Sequence, residues 1–312
     1  MSVSKESVVV NCLVFANALP LLNQFVSGLS IVGILLLTAL GLAITFGVMR
    51  IINLAHGEFI TVGAYSSLLV QDALGLDLVM SIPISFLIAG LVGAITEVSV
   101  IRRLYGRPLE TLLATWGLSI VLRGVIRLLF GAQQQYVQSP PYLSGSVTLL
   151  SVEDSSDITL SYYRLFIIGI ALALLFLTAL LLYGTGLGRK MRAVTQNRQM
   201  AECLGVNTKL VDLLTFAYGC GLAGIAGTVM SAFSTVAPEM GQNYLLDSWM
   251  VVVAGGVDQL FGTLAGAILI GEGNAMIAYF TNDPTARVII LLGVIVLIRY
   301  RPEGLFTVQK RS

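Results

Sequence analysis

Residues 51–59 read IINLAHGEF, and they set Asn53, Glu58 and His56, the only histidine in 312 residues, around Gly57 in an otherwise apolar neighbourhood. A full apolar run, 25–49, precedes the stretch and a short one, 57–71, follows it. A helix rises about 1.5 Å per residue and a bilayer core is about 30 Å thick, so the second run is too short to stand upright across a membrane. Short or glycine-interrupted segments of this kind read as discontinuous helices near a pathway. The stretch is therefore a helix break: Arg50 ends one helix, Asn53 can cap the next, and Gly57 permits close backbone approach. A satisfied turn and a turn that borders a translocation path both fit these residues. A metal site needs three or four ligands, and no second histidine exists. A proton relay would use intramembrane carboxylates, but Glu58 lies near a span boundary.

Working outward, hydrophobic residues make up 56% of the chain and charged residues 11%, against about 25% charged in soluble domains. With a mean hydropathy of +0.88, too little charge remains to solvate a globular surface. The expected fold is all-α and polytopic, an integral membrane protein of about nine (eight to ten) spans. The 32 glycines suit close helix contacts. A net charge of +1 gives no reason to expect nucleic acid. Cys12, Cys203 and Cys220 have neither zinc spacing nor the density of a disulfide scaffold. No GxxxxGK[ST] sequence is present, so the chain has no Walker-type route to ATP hydrolysis. No enzymatic constellation is present either.

Apolar runs place spans at 25–49, 57–71, 81–101, 109–130, 162–183, 211–233, 244–257, 262–280 and 285–299. Basic clusters at Arg102, Arg103 and Arg107, at Arg189, Lys190, Arg192, Arg198 and Lys209, and at Arg299, Arg301, Lys310 and Arg311 mark cytoplasmic ends. Residues 131–161 carry Glu153, Asp154 and Asp157 but no Lys or Arg, include Pro140 and Pro141, and form an external loop. These assignments alternate through nine crossings. The run 8–25 before them reads as retained chain, either an interfacial segment or a tenth span. GLSIV occurs at 28–32 and 117–121, and coincidence explains it better than a repeat. The whole chain reads as one transmembrane domain.

Within the cytoplasmic loop 184–210, RKMRAVTQNRQMAECLG reads as one amphipathic helix closed by Gly205, with Ala193, Met200, Ala201 and Leu204 on its apolar side. Lipid surface or a docking motor could receive it. Gly221, Gly224 and Gly227, and the Gly262/Gly266 pair, read as packing positions, and Gly255–Gly256 open a tight turn. Glu97 and Glu272 fall inside apolar runs and must face protein or a wet cavity. No firm partner can be named for Glu97, because Arg102 is within reach only if the helix bends.

Taken together, GLAITFGVMRIINLAHGEF (41–59), LYGRPLETLLATWGLSIVL (104–122), MRAVTQNRQMAECLGVNT (191–208), GQNYLLDSWMVVVAGGVDQLFGTLAGA (241–267) and RPEGLF (301–306) resemble the permease subunits of ABC importers for branched-chain amino acids, urea and short amides. The second and fourth motifs look most like the urea-type permease. The resemblance implies a bacterial plasma (inner) membrane protein paired with a second, homologous permease, two cytoplasmic ATPase subunits and an external substrate-binding protein. ATP and Mg would sit on the ATPases, with no cofactor on this chain. Arg192, Ala201, Glu202, Gly205 and Asn207 would fall in the coupling helix. Asn53, His56, Glu58, Thr61, Tyr65, Thr115, Ser119 and Asn274 are candidates for the path of urea, or of an amino acid or amide. An autonomous channel or ion-coupled transporter is the reading from a different class. Asp258 departs from the family pattern, in which a small residue stands at that place in the turn.

Overall fold

The computed structural model describes the backbone of residues 3–152, 155–257, 259–301 and 304–306, with side chains inside 3–20 and 148–159 left aside; Asp154 and Asp258 lie outside it. Every apolar run corresponds to a helix: α1 (Val3–Met49), α2 (His56–Leu74), α3 (Leu78–Ser99), α4 (Pro108–Phe130), α5 (Tyr162–Gly184), α8 (Thr208–Ser231), α9 (Gln242–Gly255), α10 (Leu260–Phe280) and α11 (Asp283–Tyr300). Two further helices, α6 (Gly186–Gln196) and α7 (Arg198–Cys203), occupy the basic loop. Among the described residues, six helices are long and apolar enough to cross a membrane. The helical, polytopic architecture matches the expectation from composition, while α2, α9 and α11 fall short of that measure. The N-terminal run is continuous with α1, in which Leu21–Met49 is the part, among the described residues, long and apolar enough to cross. The loop after α4 carries an antiparallel hairpin, β1 (Ser146–Val152) and β2 (Ser155–Ser161), which the apolar pattern did not announce.

The helices build two inverted halves, α1–α4 and α8–α11, with α5–α7 between them. Four packing contacts have counterparts: α1 on α10 and α8 on α3, α2 on α8 and α9 on α1, α2 on α3 and α9 on α10, α2 on α4 and α9 on α11; α10 on α11 has no comparable α3 on α4 contact. Each half runs from a long helix through a break into a short one, the arrangement of inverted-repeat transporters. The two GLSIV copies lie in α1 and α4, both inside one half, and do not mark this symmetry.

Close approach is achieved with glycine pairs. Backbone meets backbone at Gly41 and Gly219, at Gly57 and Gly241, at Gly63 and Gly224, and at Gly255 and Gly262, where an added Cβ would strike the partner's carbonyl oxygen. The glycines of α8 serve two neighbours: Gly221 faces Phe86 and Gly224 faces Ser85 and Ala89, all on α3, while Gly227 faces Ile60 on α2. Small residues substitute here for the hydrophobic drive that lipid removes. In contrast, Gly117 on α4 has open space beside it.

Gly241→Val is therefore expected to destabilise the protein by about 3 kcal/mol or more, and Gly117→Ala to leave it unchanged or slightly more stable. Thermal unfolding of both variants in nanodiscs distinguishes backbone contact from a generic cost of losing glycine.

Candidate functional site

Helix α1 stops where Arg50 turns left-handed, at φ 53, a region uncommon for a residue with a side chain. The chain from 50 to 55 then folds back along α1. At its end His56 Nε2 donates to the Thr38 carbonyl oxygen at 2.9 Å, well inside the span. Asn53, His56 and Glu58 are all buried. The break is thus inside the protein rather than in water, and Glu58 is not the wet residue its position in the sequence suggests.

Freed backbone groups in such a place need partners from elsewhere. Asn53 does not cap α2. Its Oδ1 accepts the Ala55 N–H at 3.0 Å and closes a local turn, because Ala55 rather than Asn53 occupies the residue before the helix. Thr115 Oγ1 accepts the Leu54 N–H at 3.2 Å and lies 3.4 Å from the Ile52 carbonyl oxygen. Ser119 Oγ donates to Glu58 Oε1 at 2.9 Å. Arg123 reaches the same oxygen with Nη2 at 2.8 Å and Nε at 3.3 Å. Glu58 also sits in the first turn of α2, where the helix dipole favours a negative charge.

These partners come from one stripe on α4. Thr111, Thr115 and Ser119 are its buried polar residues, and Arg123 extends the same spacing of four, which stacks side chains on one helix face. Leu109, Leu113, Trp116, Ile120 and Leu128 are exposed on the rest of the helix. Arg123 was missed in the sequence, although the Thr–Thr–Ser–Arg spacing of four in an apolar helix is a readable signal.

Of the remaining path candidates, Thr61 Oγ1 accepts the Gly241 N–H at 3.1 Å and so joins the start of α9 to α2. The Tyr65 ring stacks at 4.6 Å from Phe130. Asn274 is separate from the break, in a cavity with Tyr244, Asp247 and Arg287. Glu272 packs on Gly28 of α1, with no hydrogen-bond partner for either carboxylate oxygen among the described residues. At the end of α9, Gly256 takes φ 105 and starts the turn into α10, where Gly266 approaches the Val251 carbonyl.

The basic rim holds a second polar cluster. The expected single helix is two, because Asn197 is extended, at φ −155 and ψ 103, and caps α7 by accepting the Met200 N–H. That break changes which side chains are covered. Met191, Val194 and Ala201 are buried with Val211, whereas Met200 and Leu204 are exposed. Gly205, at φ 80, closes α7 with its N–H on the Glu202 carbonyl while the Val206 N–H bonds to Ala201, a Schellman end. Arg192 bonds to the Leu182 carbonyl, Asn207 caps α8 and Glu202 Oε1 accepts from Thr208 at 2.6 Å.

Arg198 opens α7 and links it to the core. It donates to the buried Asp212 of α8 at 2.5 Å and lies 4.8 Å over the Tyr105 ring. Burial, reinforced by the Asp212 carboxylate, pushes the Tyr105 phenol pKa well up. Close by, the turn after α3 bends Arg102 back to grip Glu97 with Nε at 3.3 Å and Nη2 at 2.8 Å, which supplies the partner that a straight helix would deny.

Fold and site together define a multi-pass protein of the inner membrane, built around a helix break held by buried polar contacts. Residues 24–299 match the family described as branched-chain amino acid transport system / permease component, and the chain belongs to that family. It is 29% identical over 298 residues to the high-affinity branched-chain amino acid transport system permease protein LivH of Salmonella typhimurium, covering 91% of this chain and 94% of that one. BraD of Pseudomonas aeruginosa is 26% identical, over 91% and 95% of the two chains. The LivM permease protein of Escherichia coli is 23% identical, over 89% of this chain and 68% of LivM. No solved structure matches the chain.

Removing one partner of a buried ion pair strands the other charge, at a cost of about 3–5 kcal/mol. Arg123→Ala is expected to destabilise by that order and the double variant Arg123→Ala/Glu58→Gln to recover most of it. Equal losses in the single and double variants, measured by thermal unfolding in nanodiscs, would show that the pair is not what holds the break.

Proposed function

We propose that this permease carries a small aliphatic amino acid, as one of two homologous permease subunits served by two cytoplasmic ATPases and an external binding protein. The observation that carries the cargo assignment is the named function of relatives aligned over about nine-tenths of both chains. Pairing is supported by the similarity to both LivH and LivM of Escherichia coli, two permease proteins named for one transport system. Urea remains the second reading, on the motifs at 104–117 and 241–253.

The mechanism follows from the two polar clusters. Helix α7 would be the coupling element: Met200 and Leu204 offer an apolar contact to an ATPase, and the Schellman end at Gly205 fixes the direction of the chain. A push on α7 would reach α8 through Arg198 and Asp212. Helix α8 packs on α1, α2 and α3, so its displacement would move the break and with it the path along Asn53, His56, Glu58, Thr115 and Ser119. This chain supplies path and lever, and the partner ATPases hydrolyse ATP.

In vesicles holding the complete importer, unlabelled leucine is expected to suppress leucine uptake while urea and acetamide in tenfold excess do not. Robust uptake of urea without leucine uptake would overturn the cargo assignment. For the lever, Met200→Asp/Leu204→Asp is expected to lower uptake at least tenfold with the chain still in the membrane. Unchanged stimulation of ATP hydrolysis by loaded binding protein would count against coupling through α7.

A further inference from the structure

The described residues hold four acid–arginine pairs whose carboxylate is largely or fully buried, and they are not alike. Glu58–Arg123, Glu97–Arg102 and Asp212–Arg198 close at 2.8, 2.8 and 2.5 Å. Asp247–Arg287 stands at 4.0 Å, beyond hydrogen-bond distance, although the Asp247 side chain is only 13% exposed. A carboxylate so covered is costly unless something satisfies it. Beside this open pair lies a cavity of about 190 Å³ between α1, α9, α10 and α11.

The cavity wall has two characters. Ile34 and Leu35 of α1, Ile270 of α10 and Ile290 of α11 make an apolar side, and Asp247, Asn274 and the exposed Arg287 make a polar one, with a second carboxylate, Asp283, beside them. Asn274 Oδ1 is buried with no partner among the described residues, an acceptor waiting for an N–H donor. A cavity of about 150 Å³ admits a molecule of the size of benzene, so the space suits one small solute.

We propose that this cavity is a holding site for the zwitterion of an aliphatic α-amino acid. The ammonium bridges Asp247 and the Asn274 oxygen, the carboxylate accepts from the Arg287 guanidinium, and the side chain lies on the isoleucine–leucine wall. A solute with an ammonium and a carboxylate on one carbon completes an ion pair that is held apart, whereas a neutral amide such as urea offers neither charge. The site rests on the amino-acid reading above and deepens it by naming which groups of the cargo are recognised.

The test is binding of tritiated leucine to the purified membrane complex in nanodiscs, without its binding protein, in competition with leucinamide and N-acetylleucine. Leucinamide lacks the carboxylate and N-acetylleucine lacks the ammonium, so each is expected to compete at least tenfold more weakly than leucine. Arg287→Gln should erase the handicap of leucinamide alone, and Asp247→Asn that of N-acetylleucine alone. Ile290→Phe, which keeps both charges and narrows the apolar side, should weaken leucine several-fold more than alanine. Loss of discrimination that is not matched to the group removed, or a complex that binds no leucine, overturns the site. Failure of leucine uptake by the complete importer overturns the cargo reading instead, so the two failures are separable.

Discussion

A polypeptide that interrupts a helix inside a membrane must find partners for every backbone group it releases, because no water is there to do so. In this protein that constraint is met at the contact of Gly57 with Gly241, where the starts of two short helices abut. The absence of side chains lets the backbones touch, Thr61 accepts the Gly241 N–H, and Thr115 and Asn53 take up the groups freed between α1 and α2. The two halves of the chain meet here as well as along α8, which packs on α1, α2 and α3, and along the α1–α10 contact.

The second consequence concerns α4. In a soluble protein a helix turns its apolar side inward, but α4 buries two threonines and a serine, half-buries Arg123 and shows most of its leucines outward. Lipid tails are as apolar as leucine, so apolar packing gives little reason for this helix to stay. Directed hydrogen bonds and one ion pair hold it, and such contacts can be exchanged one for another with modest displacement. That makes the α2–α4 seam a place where a permease can change shape without exposing a core.

Much of the architecture was legible in the sequence because the membrane imposes a length scale: every apolar run became a helix, and the runs 57–71 and 244–257 became the two helices at the junction, α2 lengthened to 19 residues and α9 at 14. The symmetry was not legible, since it resides in which helix packs on which, and the repeated pentapeptide pointed elsewhere. At the candidate site, spacing along the chain identified Asn53, His56 and Glu58 as a break. It could not show that the break is buried, because burial came from chain folding back along α1 and from α4, about 60 residues away in sequence (Thr115 to Leu54 differ by 61). The basic loop shows the converse limit. One periodicity was projected across Asn197, and the cap at that residue shifted Met200 and Leu204 from the covered side to the open one.

The ordering of the ion pairs along the chain bears on how the protein is made. Helix α4 carries Arg123 and Arg127, and arginine at the centre of a span enters a bilayer only at a cost of about 2.5–3.5 kcal/mol. Synthesis delivers Glu58 to the membrane before Arg123 emerges, Glu97 before Arg102 and Asp247 before Arg287, whereas Arg198 precedes Asp212 and Arg127 precedes Glu239. For Arg123 the acid is already in place when the arginine arrives, so that charge can be neutralised as α4 inserts. A circular permutation that emitted α4 ahead of α2 would present the same residues in the opposite order, and the arginine would have to enter the lipid alone.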